Sequence, residues 1–197
     1  MIASINPLGE RGRNQHYSTT VTAYIAGSTV AGALLGGVLG LTGSTVAAPR
    51  VALIAVGIVA AAGLWFDASR TRARVPGPRR QVDETWLATY RGWVYGAGFG
   101  AQLGLAFVTI VTASATWVAF ACALFSGSAL AGLTIGATFG LVRALPVLAA
   151  ARVRDAARLR SVVRRLERIR PRVALTTTAV QGAAAFGLIA VAARASL

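Results

Sequence analysis

Four long stretches of this chain carry no charged side chain, and they restrict its folding more than any other feature. They cover residues 18–42, 51–66, 92–142 and 173–193. A soluble domain of 197 residues cannot bury all four, because too little polar surface remains to cover them. A bilayer core of about 30 Å takes about 20 apolar residues per helix. The stretches therefore suit membrane crossings. Charged residues make up 13% of the chain, about half the share of a soluble domain, which agrees.

The expected fold is all-α: a polytopic helical membrane protein with about five transmembrane helices. A polar tail at 1–17 precedes one transmembrane domain at 18–197. Its spans fall at about 20–42, 51–66, 92–113, 118–141 and 173–193, with a tight turn near Trp117. Trp65, Trp93, Tyr95 and Trp117 lie near span ends, where interfacial aromatics belong.

Every basic residue is arginine. Ten arginines lie in the 143–172 segment and six in the 67–91 segment. The other connections hold one or none, so the positive-inside rule puts both rich segments in the cytoplasm. The N-terminus is then cytoplasmic, and the protein belongs to a bacterial cytoplasmic membrane. Arg11 and Arg13 precede the first span, which reads as an anchor and not a cleaved signal. A net charge of +14 invites a nucleic-acid reading, but this charge sits between spans, so no nucleic-acid partner is expected. Within 151–170, Leu159, Val162, Val163, Leu166 and Ile169 recur at helical spacing, away from Arg160, Arg164 and Arg168. This reads as a cytoplasmic amphipathic helix lying on anionic lipids of the inner leaflet. The bilayer is thus the first partner; a homo-oligomer or another membrane partner stays open.

Gly27, Ser28, Ala31, Gly32, Gly36, Gly40 and Leu41 recur as Gly127, Ser128, Ala131, Gly132, Gly136, Gly140 and Leu141, one hundred residues later and without a gap. Ser28, Gly32, Gly36 and Gly40 are four apart and share one helix face, as do Ser128, Gly132, Gly136 and Gly140. Such stripes let helix backbones approach closely in lipid. With the two spans running in opposite directions, the match fits a degenerate inverted repeat. Two independent packing faces would fit as well. A second-half counterpart of the second span would fall in the arginine-rich segment, which cannot cross.

Gln102 and Gln181 are the most costly uncharged groups within the spans, and each amide must find partners in the bundle or in a wet cavity. With Thr109, Ser28 and Ser128 they would line a solute path; the plainer alternative is a set of interhelical hydrogen bonds. Asp67 and Arg143 end spans two and four on the cytoplasmic side, where they would either gate a path or mark the membrane boundary.

No catalytic constellation is apparent, and the chain does not read as an enzyme. Cys122 and His16 each stand alone, which leaves no internal disulfide, no bis-histidine haem and no His-rich metal site. No cofactor is implied. Gly96 to Gly100 is glycine-rich but follows no strand, so it is not a dinucleotide loop.

The run from Pro78 to Leu87, continuing through Tyr90–Gly96 to Gln102-Leu103-Gly104, resembles runs in uncharacterised actinobacterial membrane proteins. Their organisation is similar to the CcdA/DsbD-like superfamily, which contains thiol-electron carriers with paired cysteines in two related helices. Span one here has no cysteine and span four only Cys122, so that redox activity does not carry over. The resemblance implies an architecture suited to transport or to an accessory membrane subunit. Two functions follow as expectations: a transporter-like protein moving a small solute between spans one, three, four and five, or a non-transporting scaffold or accessory subunit.

Overall fold

The computed structural model describes residues 4–45, 49–68, 85–106 and 114–194, and among these only helices and their connections are present. The helices are α1 (Pro7–Gly12), α2 (Tyr17–Gly43), α3 (Pro49–Ala68), α4 (Trp86–Thr89), α5 (Gly92–Leu105), α6 (Ala115–Phe125), α7 (Ala129–Ala144) and α8 (Ala156–Arg194). A 3₁₀ segment, Leu145–Ala150, prolongs α7. Among the described residues, two helical stretches are long and apolar enough to cross a membrane, Tyr17–Gly43 and Ala129–Ala150.

The organising helix is α2. Its threonines do not break it, because Thr29 and Thr42 donate back to the carbonyls of Ile25 and Val38 within the same helix. It ends at Gly43, where the hydroxyls of Ser44 and Thr45 donate to the last-turn carbonyls of Leu41 and Thr42 at 2.6 and 2.8 Å, beside the backbone N–H groups of the same two residues. One side of α2 meets α7, running antiparallel. Another meets α5, running parallel: Gly96 lies against Thr20, Gly100 against Tyr24 and Gly104 against Ser28.

The register changes the expected helix boundaries. Helix α5 stops at Leu105, level with Ser28 and only part-way along α2. Its last residue gives way to Ala106, buried and at φ +56°, a left-handed conformation unfavourable for a residue with a Cβ. Helix α6 then reaches the far end of α2, where Leu124 packs on Gly43. The sharp reversal comes at Ser126-Gly127-Ser128, with Gly127 at φ +61°. Residues 118–141, expected as one span, therefore hold most of α6, this turn and most of α7, while Trp117 lies in the first turn of α6.

Two further expectations are corrected. Residues 1–17 are not a free tail: Asn6 caps α1 by accepting from the Gly9 amide at 2.9 Å, and Ile5, Asn6 and Glu10 are buried. The arginine-rich 151–170 segment is not a separate surface helix. From Ala156 it is the first part of α8, a continuous helix of 39 residues with Pro171 inside it. The carbonyl that Pro171 leaves without its helical donor belongs to the exposed Glu167, where solvent can take over.

Large side chains, Ile5, Val21, Tyr24, Tyr95 and Phe99 among them, are buried together near the α1 end of the bundle, and small ones are buried along the rest of α2. On α2 the buried positions include Thr20, Ser28, Ala31, Gly32, Gly36 and Gly40, whereas Val30, Leu34, Val38 and Leu41 are all more than half exposed. Leu175, Val180 and Phe186 on α8, and Trp65 on α3, also face outward.

Candidate functional site

Three polar clusters hold the bundle together. The first is the seam between α2 and α7. Gly32 faces Gly136, Gly36 faces Gly132 and Gly40 faces Ser128, and in each case a Cβ on the glycine would overlap a carbonyl oxygen of the facing helix. At the end of this seam Ser28, fully buried, donates to the Gly140 carbonyl at 2.7 Å. Ser128 is exposed and does different work: it caps α7 by accepting from the Ala131 amide at 3.4 Å. No channel runs along this seam, because the backbones touch.

The second cluster joins α3, α6 and α8. Gln181, buried, donates through Nε2 to the Ala60 carbonyl and to Ser114 Oγ, both at 3.0 Å. Ser114 has one hydroxyl proton, and the 2.6 Å contact to Asp67 Oδ2 assigns it there. Asp67 also accepts from the Ser114 backbone N–H at 3.3 Å, so its carboxylate covers the positive end of α6. Gly63 makes room: a Cβ there would sit 2.6 Å from Gln181 Nε2 and 2.7 Å from Ser114 Oγ.

The third cluster lies on α1, a segment that sequence reasoning treated as tail. Glu10 is fully buried and accepts from Arg13 Nη2 at 2.6 Å, Thr20 Oγ1 at 2.6 Å and Tyr95 OH at 2.5 Å. Arg13 also donates to the Ser4 carbonyl at 2.8 Å and lies over the Tyr95 ring. Burial opposes the Arg13 charge, but its bonds to Glu10 and Tyr95 outweigh that and raise its pKa above the ordinary arginine value. A raised cation pKa stabilises the fold at every pH below the unfolded value, so Arg13 stays charged across the accessible range. The signal missed in the sequence was Glu10 itself, a lone acid three residues before Arg13 and ten before the first buried threonine.

The sequence-derived path residues do not converge. Gln102 is partly buried on α5 and makes no hydrogen bond to Ser28 or Gln181 among the described residues. Thr109, most of the 67–91 segment and the Pro78–Glu84 part of the quoted run lie outside the described residues. Asp67 and Arg143 are not brought together: Asp67 holds Ser114, while Arg143 lies over the Phe139 ring at 5.4 Å. Arg13–Glu10 is the one ion pair among the described residues. No group of histidine, cysteine and acidic residues there could hold a metal ion.

Three curated relatives share about a third of their aligned residues with this chain. Methylamine utilization protein MauF of Paracoccus versutus is 32% identical over 134 residues, covering 66% of this chain and 48% of that protein. The Paracoccus denitrificans protein of the same name is 34% identical over 127 residues, covering 63% and 44%. That of Methylorubrum extorquens is 30% identical over 134 residues, covering 66% and 47%. The chain thus spans about half the length of the curated relatives it matches. No family model and no solved structure matches. These relatives overturn the CcdA/DsbD-like resemblance: they carry the MauF name, and no thiol-carrier family matches. The quoted run carried no paired cysteine to tie it to that superfamily, and glycine- and aromatic-rich spans look alike across many membrane bundles.

Proposed function

We propose that this chain is a membrane-embedded accessory protein of methylamine utilization, and that its bundle is a structural body and not a conduit. The observation that carries the membrane reading is the apolar outer surface. Small residues fill the α2–α7 seam while Val30, Leu34, Val38, Leu41, Leu175, Val180 and Phe186 face out, an arrangement that would aggregate in water and is favourable in lipid. The relatives' name supplies the process. The accessory reading is favoured over transport because Gln181 is occupied by fixed partners and the α2–α7 seam is shut at backbone contact.

In this reading α2, α3, α5 with α6, α7 with its 3₁₀ extension, and the second half of α8 make five crossings with the N-terminus cytoplasmic. A 39-residue helix is about 58 Å long, nearly twice the hydrocarbon thickness. Its arginine-rich first half would therefore stand in the cytoplasm. The inverted repeat gains support from the seam. Gly32–Gly136 and Gly36–Gly132 exchange under the offset of one hundred, as do Ser28–Gly140 and Gly40–Ser128, which is the contact pattern of a two-fold axis between the helices.

The test is genetic. Deleting the gene should abolish growth of its host on methylamine and leave growth on ammonium unchanged. Equal growth of the deletion strain on both would defeat the proposed role.

A further inference from the structure

A groove of about 570 Å³ lies between α6 and α7, and its one charged group is Arg143. Ala115 and Ala119 form one wall and Ile135, Phe139 and Val142 the other. Thr134 and Thr138 also line it, but their hydroxyls donate to the Ala131 and Thr134 carbonyls of their own helix at 2.8 Å. The wall is therefore effectively apolar. Arg143 stands at its end with Nη1 buried and without a hydrogen-bond acceptor among the described residues. The guanidinium is held over Phe139, which fixes its direction but supplies no anion.

The depth of this arginine makes the missing partner costly. Gly140 pairs with Ser28, and α7 runs antiparallel to α2, so Arg143 lies about three residues nearer the Tyr17 end than Ser28. That places it about 12 Å inside the end of α2. A guanidinium within the apolar zone needs a counter-charge.

We infer that this groove is a binding site for one anionic phospholipid, with an acyl chain along Ala119, Ile135 and Phe139 and the phosphate accepting from the face of the Arg143 guanidinium that lines the groove. Charge complementarity chooses the occupant. A neutral amphiphile would leave the guanidinium without a counter-charge, and a free anion would leave the apolar wall uncovered. The site rests on the membrane-embedded reading, and it is distinct from binding of inner-leaflet lipid by the arginines of α8.

The experiment uses the full chain, delipidated in detergent, with retention of dioleoyl phosphatidylglycerol and dioleoyl phosphatidylcholine compared by native mass spectrometry. The anionic lipid should bind roughly tenfold more tightly, as one charge-assisted hydrogen bond allows. Arg143→Gln should lower that preference, leaving what the arginines of α8 contribute. Ala119→Phe, which fills the groove and keeps the arginine, should weaken retention of the anionic lipid and keeps the inference testable if Arg143→Gln misfolds. Equal binding of the two lipids, unchanged phosphatidylglycerol binding in either variant, or equal thermal stabilisation by inorganic phosphate alone would overturn the site. Release of the protein from membranes by alkaline carbonate would instead defeat the membrane reading. A protein retained in membranes but indifferent to headgroup charge would defeat only the lipid site.

Discussion

Ser28 donates its hydroxyl to the carbonyl oxygen of Gly140 across 2.7 Å, a bond between α2 and α7 that joins residues 112 apart in the chain. It closes one end of a seam in which three glycine–backbone contacts leave no room for a side chain. Hydrogen bonds of this kind in membrane bundles average about 0.6 kcal/mol, so close approach of the backbones carries more of the packing than the bond does.

Gly36→Leu and Gly136→Leu should therefore each cost at least the ~3 kcal/mol upper end of ordinary overpacking, because the new side chain meets backbone that cannot rotate away. Leu34→Ala, on the outward face of the same helix, should stay within about 0.5 kcal/mol. Thermal unfolding in detergent measures all three. Equal losses would show that the seam is not the tight contact described.

The stripes illustrate what the sequence could and could not reveal. Four-residue spacing shows that Gly32, Gly36 and Gly40 share a face, but it cannot name the helix that the face meets. The turn at Gly127 was hidden for a related reason. In a chain where glycine lines the packing faces, one more Ser-Gly-Ser looks like another small-residue contact, and only the backbone angle of Gly127 distinguishes it. Only the three-residue spacing of Glu10 and Arg13 was legible; the other two partners, Thr20 and Tyr95, come from α2 and α5, a convergence that no local pattern encodes. Apolar run length, by contrast, is a local property, and it was enough to indicate an all-helical chain.

Glu10→Gln should loosen α1 from the bundle. It removes the charge that Arg13, Thr20 and Tyr95 all address, and bonds to a charged group are worth about 1.5–3 kcal/mol each. Limited proteolysis should then cut before Tyr17 in the variant and not in the parent. Identical protection of the two would mean that the carboxylate does not hold the segment.

Ala106→Gly should stabilise the fold by about 1 kcal/mol, since the left-handed conformation at φ +56° penalises a Cβ. A midpoint shift in chemical unfolding reads this directly. A destabilised variant would indicate that the Ala106 methyl group, which is fully buried, contributes more by packing than the backbone strain costs.

Gln181→Leu tests whether the α3–α6–α8 cluster is packing or path. It leaves the Ala60 carbonyl and Ser114 without the amide, and should lower stability by about 1 kcal/mol while leaving growth on methylamine intact. Loss of growth with a normal level of protein in the membrane would count for a path.

The most direct test of the accessory role is uptake of radiolabelled methylamine by whole cells with and without the gene, measured over the first seconds before metabolism contributes. A structural body predicts equal initial rates in the two strains, even where the deletion strain fails to grow on methylamine. A clear fall in the initial rate, restored by the parent gene and not by a Gln102→Leu/Gln181→Leu double variant present at normal level, would contradict it.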